Sequence, residues 1–289
     1  MDLLRLPLLV LIDVFKNMSF REKFLISFLS KRARNTLKLT CRIPRILFNL
    51  SDDLEVHAAT SISDISGRVK IEGISRIGGE EMRWRINSDG LFLLEGSIQK
   101  WLLMAGYLLD TFKKSTILLS FYDTPAASAL DFIKMINQRQ LCITLVEYHL
   151  FVTQSSEFFP RILDECTEVT DSIWINAIFP DEFEYTPSRP FKAKEFCVCH
   201  SNNWFDLEKF MSCHHIVLQL NENPTRTVET YTSFFTNWMD SEDAPLQKLT
   251  LYHVEDHEFQ FIMDAVNNLF VSRFIFVIKY TFSEELSKN

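Results

Sequence analysis

A chain of 289 residues with 47% apolar and 24% charged side chains has the composition of a folded protein with a substantial core, which excludes disorder. The net charge of −8 is unevenly placed: residues 1–45 carry ten Lys or Arg against Asp2, Asp13 and Glu22, net +7, and residues 46–289 carry 20 basic against 35 acidic side chains, net −15. No apolar run approaches the ~20 residues a membrane-spanning helix needs, and the charge split suits two modules with different partners.

The first element is LRLPLLVLIDVFKNM, residues 4–18. Pro7 suits the first turn of a helix, where its missing N–H has no partner to lose. Leu11, Val14, Phe15 and Met18 then share a face opposite Asp13, Lys16 and Asn17, the pattern of an amphipathic helix docked on something. Asp13 and Lys16 interrupt the run and no small-x-small site follows, which argues against a secretory signal. Ser19 with Glu22 three residues on is a capping-box pattern, predicting a second helix with Phe24, Leu25, Phe28 and Leu29 as its apolar stripe. Ser30 restarts the chain into KRARNTLK. The basic run Lys31, Arg32, Arg34, Lys38, Arg42 and Arg45 suits nucleic acid, a membrane surface or an acidic protein, and a solvated helix face accounts for it equally well.

Pro44, in TCRIPRILFNLSDD, discourages helix at Ile43 and marks a break over residues 40–51. The short β-like runs LEVHAAT, RVKIEGI, MRWRIN and LFLLEG follow, separated by Gly67, Gly78-Gly79 and Asn87 to Gly90, as in hairpins. From residue 97 helices and strands alternate: SIQKWLLMAGYLLDTFKK, TILLSFY, SALDFIKMINQR, LCITLVEYH, EFFPRILDEC, SIWINAI, then a strand near 195. The alternation continues with WFDLEKFMSC, HIVLQL, VETYTSFFTNWMD, LQKLTLY, HEFQFIMDAV and RFIFVIKYTF. Single helices between strands favour parallel pairing. The strand starts recur at roughly 20 to 33 residues, which predicts a degenerate, repeat-like α/β layer, with a doubly wound sheet as the alternative.

All seven glycines lie between Gly67 and Gly106, so the turns of most of the α/β region lack the residue that lets backbone approach a phosphate. No Walker loop, dinucleotide fingerprint, serine elbow or HExxH is present. Cys197, Cys199, His200, Cys213, His214 and His215 could supply four zinc ligands. The first cluster reads as strand, however, where Cys197 and Cys199 share one face as small buried hydrophobes. His253 and His257 are four apart, but Asp256 reads as an N-cap that leaves His253 outside a solvated helix start. No metal, cofactor or catalytic residue is therefore assigned. Tyr231, Phe234, Phe235 and Trp238 form one helical stripe and read as core. Without an export signal, Cys41, Cys142, Cys166, Cys197, Cys199 and Cys213 are expected to be reduced thiols in an intracellular protein.

Residues 4–35 resemble an F-box, in the Leu6-Pro7 start, the apolar Val10, Leu11, Ile12, Val14 and Phe15, the Ser19-led second helix, and Ser27 ahead of Ser30-Lys31-Arg32. The resemblance is strongest to the large nematode group in which an F-box precedes an F-box-associated domain of type 2, whose helix, strand, Trp-containing helix, strand pattern is similar to WFDLEKFMSCHHIVLQL and SFFTNWMDSEDAPLQKLTLYHV. Leu8 and Leu9 stand where many F-boxes carry acidic residues, and Ala33 where many carry Trp. The resemblance implies a small all-α F-box module over residues 1–43, a β-hairpin segment, and a degenerate leucine-rich-repeat-like α/β domain, the last two making up a substrate-binding region over residues 46–289. It implies a non-enzymatic substrate receptor that docks on a Skp-family adaptor, and through it a cullin, and holds a target protein; neither membrane nor nucleic acid is expected as a partner. The adaptor face carried over is Leu6, Pro7, Val10, Leu11, Val14, Phe15, Met18, Ser27 and Lys31. A protein-binding scaffold with no ubiquitin role is the alternative.

Overall fold

The computed structural model describes residues 6–41, 43–59, 70–87, 90–94, 96–113, 115–150, 156–180, 183–200, 203–220, 226–241, 245–267 and 275–279. Three helices open the chain: α1 (Leu8–Lys16), α2 (Phe20–Leu29) and α3 (Lys31–Thr40). Pro7 is the N-cap of α1. At α2 the expected capping box is formed, with the Ser19 hydroxyl accepting the Glu22 N–H at 3.3 Å and the Ser19 N–H donating to the Glu22 carboxylate at 2.7 Å. Ser30 caps α3 by accepting the Ala33 N–H at 3.1 Å. The apolar stripe of α2 is shifted from the expected one: Phe20 and Phe24 are buried, whereas Leu29, at the last helical position, is 74% exposed.

The chain divides into two compact units, Met1–Leu145 and Val146–Asn289. In the first, strands β1 (Arg45–Leu50), β2 (Leu54–Ala59), β3 (Ile71–Ile77), β4 (Glu80–Ile86), β5 (Leu91–Leu93) and β6 (Thr116–Tyr122) run in the order β6-β1-β2-β5-β4-β3. The β1–β6 pair is parallel and the others antiparallel. The β3–β4 hairpin turns on Gly78 and Gly79 at φ 61° and 92°, a left-handed pair that Gly adopts without a Cβ penalty. β1 occupies the stretch expected to be a break. Pro44 does end the helical run, but RILFNL then alternates exposed and buried side chains and pairs on both sides. Helices α4 (Ile98–Thr111) and α5 (Ala126–Asn137) complete this unit, with Phe132 of α5 packed on Phe48 and Phe121 of the sheet.

Strand β7 (Ile143–Leu150) contains the boundary. Beyond it come α6 (Phe159–Glu165), β8 (Ser172–Ala177), β9 (Glu195–His200), β10 (His215–Gln219), α7 (Val228–Asp240), β11 (Lys248–Tyr252), α8 (Asp256–Asn267) and β12 (Ile275–Lys279). The segment WFDLEKFMSC, expected to be a helix, forms only a 3₁₀ turn at Leu207–Phe210. Phe210 stacks 4.1 Å from Phe205 and sits 4.9 Å from Phe196 of β9, and this aromatic burial folds the segment back on the strand. Helix α8 starts at Asp256 itself, and its first turn is not wholly solvated as expected, because Glu258 is only 3% exposed.

Strands β8 to β12 are parallel and lie in sequence order. This run of parallel strands has no reversal of order, which the doubly wound alternative needs. Ile173, Ile175, Phe196, Val198, Ile216, Leu218, Leu249 and Leu251 are buried on the helix face. Registers align the opposite face in rows, Ser172–Glu195–His215–Lys248 and Trp174–Cys197–Val217–Thr250.

Candidate functional site

The N-terminal helices divide their apolar residues between two jobs. Leu11 and Phe15 of α1 are buried with Phe20, Phe24, Ala33 and Leu37, and they hold the three helices together. Leu8, Leu9 and Val10, in the first turn of α1, are 53%, 77% and 43% exposed, an apolar patch on a helix end. Of the nine residues carried over as an adaptor face, Pro7, Val10 and Lys31 are exposed, Leu6, Val14 and Met18 are half-buried, and Leu11, Phe15 and Ser27 are buried.

Ser27 is covered because the module docks on α4 and β4. The Tyr107 hydroxyl lies 3.0 Å from the Ser27 carbonyl oxygen and 2.9 Å from its hydroxyl, to which it donates. The rings build a continuous pile. The Arg34 guanidinium sits 4.1 Å over Tyr107, Tyr107 stacks on Phe28 at 4.9 Å, and Phe28 stacks on Trp84 at 6.2 Å. Phe24 meets Trp84 edge-on at 5.3 Å. Beneath the pile lies Gly73, where a Cβ would fall 2.4 Å from the Trp84 ring. Arg34 also donates to the Thr111 hydroxyl at 3.0 Å and lies 3.8 Å from Asp110. Burial pushes the Tyr107 phenol above its ordinary value, partly offset by Ser27 and Arg34. Sequence reading missed Trp84 and Tyr107, and it placed Arg34 in a basic run without its stacking on Tyr107, because the partners lie far away along the chain.

In the second unit, the polar sheet face carries a hydrogen-bonded ladder across four strands. The indole N–H of Trp174, itself 42% exposed, donates to Glu195 at 3.2 Å; His215 Nδ1 lies 2.9 Å from the other Glu195 oxygen, and His215 Nε2 lies 3.0 Å from the Thr250 hydroxyl. A neutral imidazole satisfies all of this by donating from Nδ1 and accepting at Nε2. Burial lowers the His215 pKa and Lys248 adds to the fall, while Glu195 opposes it. A histidine lowered on folding stabilises fully above its unfolded pKa of about 6.5, and that stability is lost as pH falls through the lower folded value. The melting temperature of His215→Gln is therefore expected to fall less on acidification than that of the parent. NMR titration of His215 is the direct check, and a midpoint at or above about 6.5 contradicts it.

Cys197 and Cys199 share this face, their sulfurs 3.8 Å apart. The thiol–thiol contact holds Cys199 below its ordinary value and Cys197 above it, and burial adds to the rise at Cys197. Cys213 is buried elsewhere, pushed up to about 12 by desolvation. Among the described residues, no group of three or more His, Cys, Asp or Glu converges as for a metal ion. His253 and His257 are exposed.

On the helix side a cavity of about 490 Å³ opens between the 3₁₀ turn and α7. Its walls include Tyr185, Trp204, Phe205, Tyr231 and Phe234, and Arg226 lines its inner end. The Arg226 and Glu258 side chains, 9% and 4% exposed, lie 3.4 Å apart, and the Tyr231 hydroxyl donates to the same Glu258 oxygen at 2.6 Å. Of these residues, the sequence singled out Tyr231 and Phe234, both read as core.

Among the described residues, no helix is long and apolar enough to cross a membrane. Compared with known proteins, the whole chain matches no curated protein and no solved structure. The N-terminal helices do match: residues 3–42 carry an F-box domain.

Proposed function

We propose that this chain is the substrate-recognition subunit of a Skp-cullin-F-box type ubiquitin ligase, docking on the adaptor through residues 3–42 and holding a target protein with the region that follows. The F-box match carries the reading, and the exposed Leu8, Leu9 and Val10 support it as apolar surface in want of a cover. The receptor performs no chemistry of its own and works inside the cell. In this reading Leu6, Pro7, Val10, Val14, Met18 and Lys31 touch the adaptor, while Leu11, Phe15 and Ser27 hold the helices that present them. The remainder is an F-box-associated domain of type 2, its sequentially ordered parallel strands forming the leucine-rich-repeat-like layer.

Capture by a Skp-family adaptor is the test. Leu9→Asp with Val10→Asp puts two charges on an apolar contact without touching the core and is expected to weaken capture by at least about a hundredfold. Undiminished capture by this variant would sink the adaptor face. A second reading is favoured by the aromatic pile onto α4: the helices serve only as a cap on a protein-binding scaffold, and in that case the parent chain captures no adaptor.

A further inference from the structure

Residues 146–289 carry ten Lys or Arg against 23 Asp or Glu, net −13, while residues 1–145 carry 20 against 15, net +5. A protein held by the second unit is thus favoured if it is basic. The cavity beside α7 gives that preference a location. Glu184, Asp206 and Glu208 stand around it, and its aromatic walls are buried side chains that need no reordering to present their faces.

Two cations also line the cavity, and each is matched internally. Arg226 lies 3.4 Å from Glu258, and Lys209 lies 3.3 Å from Asp206 and donates to the Thr186 hydroxyl at 3.1 Å. The carboxylates are less engaged. Glu208 accepts the Ser233 hydroxyl at 2.9 Å, and exposed Glu184 has no partner among the described residues. An incoming anion would have to draw Arg226 or Lys209 from its carboxylate and settle beside Glu184 and Glu208. An incoming ammonium or guanidinium meets those two carboxylates, with an apolar stem to lay against Tyr185, Trp204 and Phe234. About 490 Å³ is ample for one long side chain and some flanking backbone.

We propose that this cavity receives a lysine or arginine side chain from a basic segment of the substrate. The inference rests on the receptor reading for the word substrate, and its test keeps the two apart. Labelled peptides of alternating glycine with arginine, lysine or glutamate are titrated into the full chain, and adaptor capture is measured on the same preparation. The basic peptides are expected to bind saturably and the glutamate peptide not to bind. Glu184→Gln should weaken binding about tenfold, and Ser233→Phe, which fills the mouth from an exposed position, should abolish it. Both sites are exposed, so melting temperatures should stay at the parent value. The proposal is overturned if the glutamate peptide binds in preference, if no basic peptide saturates, or if both variants bind like the parent. Peptide binding without adaptor capture would instead leave the cavity assignment standing and remove the ubiquitin role.

Discussion

A chain beginning at residue 46 is expected to be insoluble, or to melt far below the intact protein. The charge split and Pro44 invite a cut there, and residues 46–289 contain sheets and helices enough for a core of their own. Yet such a fragment uncovers the Trp84 ring, which packs against Phe24 and Phe28, and the Phe112 ring, which meets Phe20 at 5.9 Å. It also strips Tyr107 of its ring partner and its hydrogen bond to Ser27. Contiguous aromatic surface of this kind drives association when bared. A graded version avoids the cut: Phe28→Ala removes the middle ring of the pile and should cost about 3 kcal/mol, or roughly 10 °C in melting temperature. Thermal melting of both species checks the argument, and a monomeric fragment melting with the parent would show that the helical module stands apart from the first unit after all.

Local signals were legible in the sequence where one short stretch decides the outcome. Ser19 and Glu22 form their capping box because both partners lie within four residues. The helix over 228–240 has a Thr227 cap and a buried Tyr231, Phe234, Phe235, Trp238 stripe, and needed no long-range help. Reading failed where distant burial overrode local preference. RILFNL became a strand because β2 and β6 flank it, and WFDLEKF gave up its helix to bury aromatic rings. The surfaces were harder still. Nothing in the spacing of Phe28, Trp84 and Tyr107 announces that three rings pile together, and the apolar run 8–15 does not reveal which of its residues are core and which are exposed. Five parallel strands in sequence order are visible as alternation, but the ladder from Trp174 to Thr250 exists only once the register is known.

The pair beneath the cavity carries the other large effect. Glu258→Ala is expected to destabilise the second unit by about 3–5 kcal/mol, because it strips a nearly inaccessible guanidinium of its carboxylate. The Tyr231 hydroxyl loses its acceptor at the same time, which leaves a second buried group to be desolvated without return. Glu258→Gln should recover little: the amide oxygen can still accept from Tyr231, but the charge that matches Arg226 is gone. Replacing both members, Arg226→Met with Glu258→Met, should cost less than Glu258→Ala alone, since an ion pair removed whole leaves no stranded charge. Urea unfolding of the four proteins decides the matter. If the double variant is as unstable as the single, the cost lies in lost packing and the Arg226–Glu258 attraction is not its source. The comparison also separates architecture from recognition, because Glu258→Ala should lose basic-peptide binding together with stability, whereas Glu184→Gln should lose binding alone.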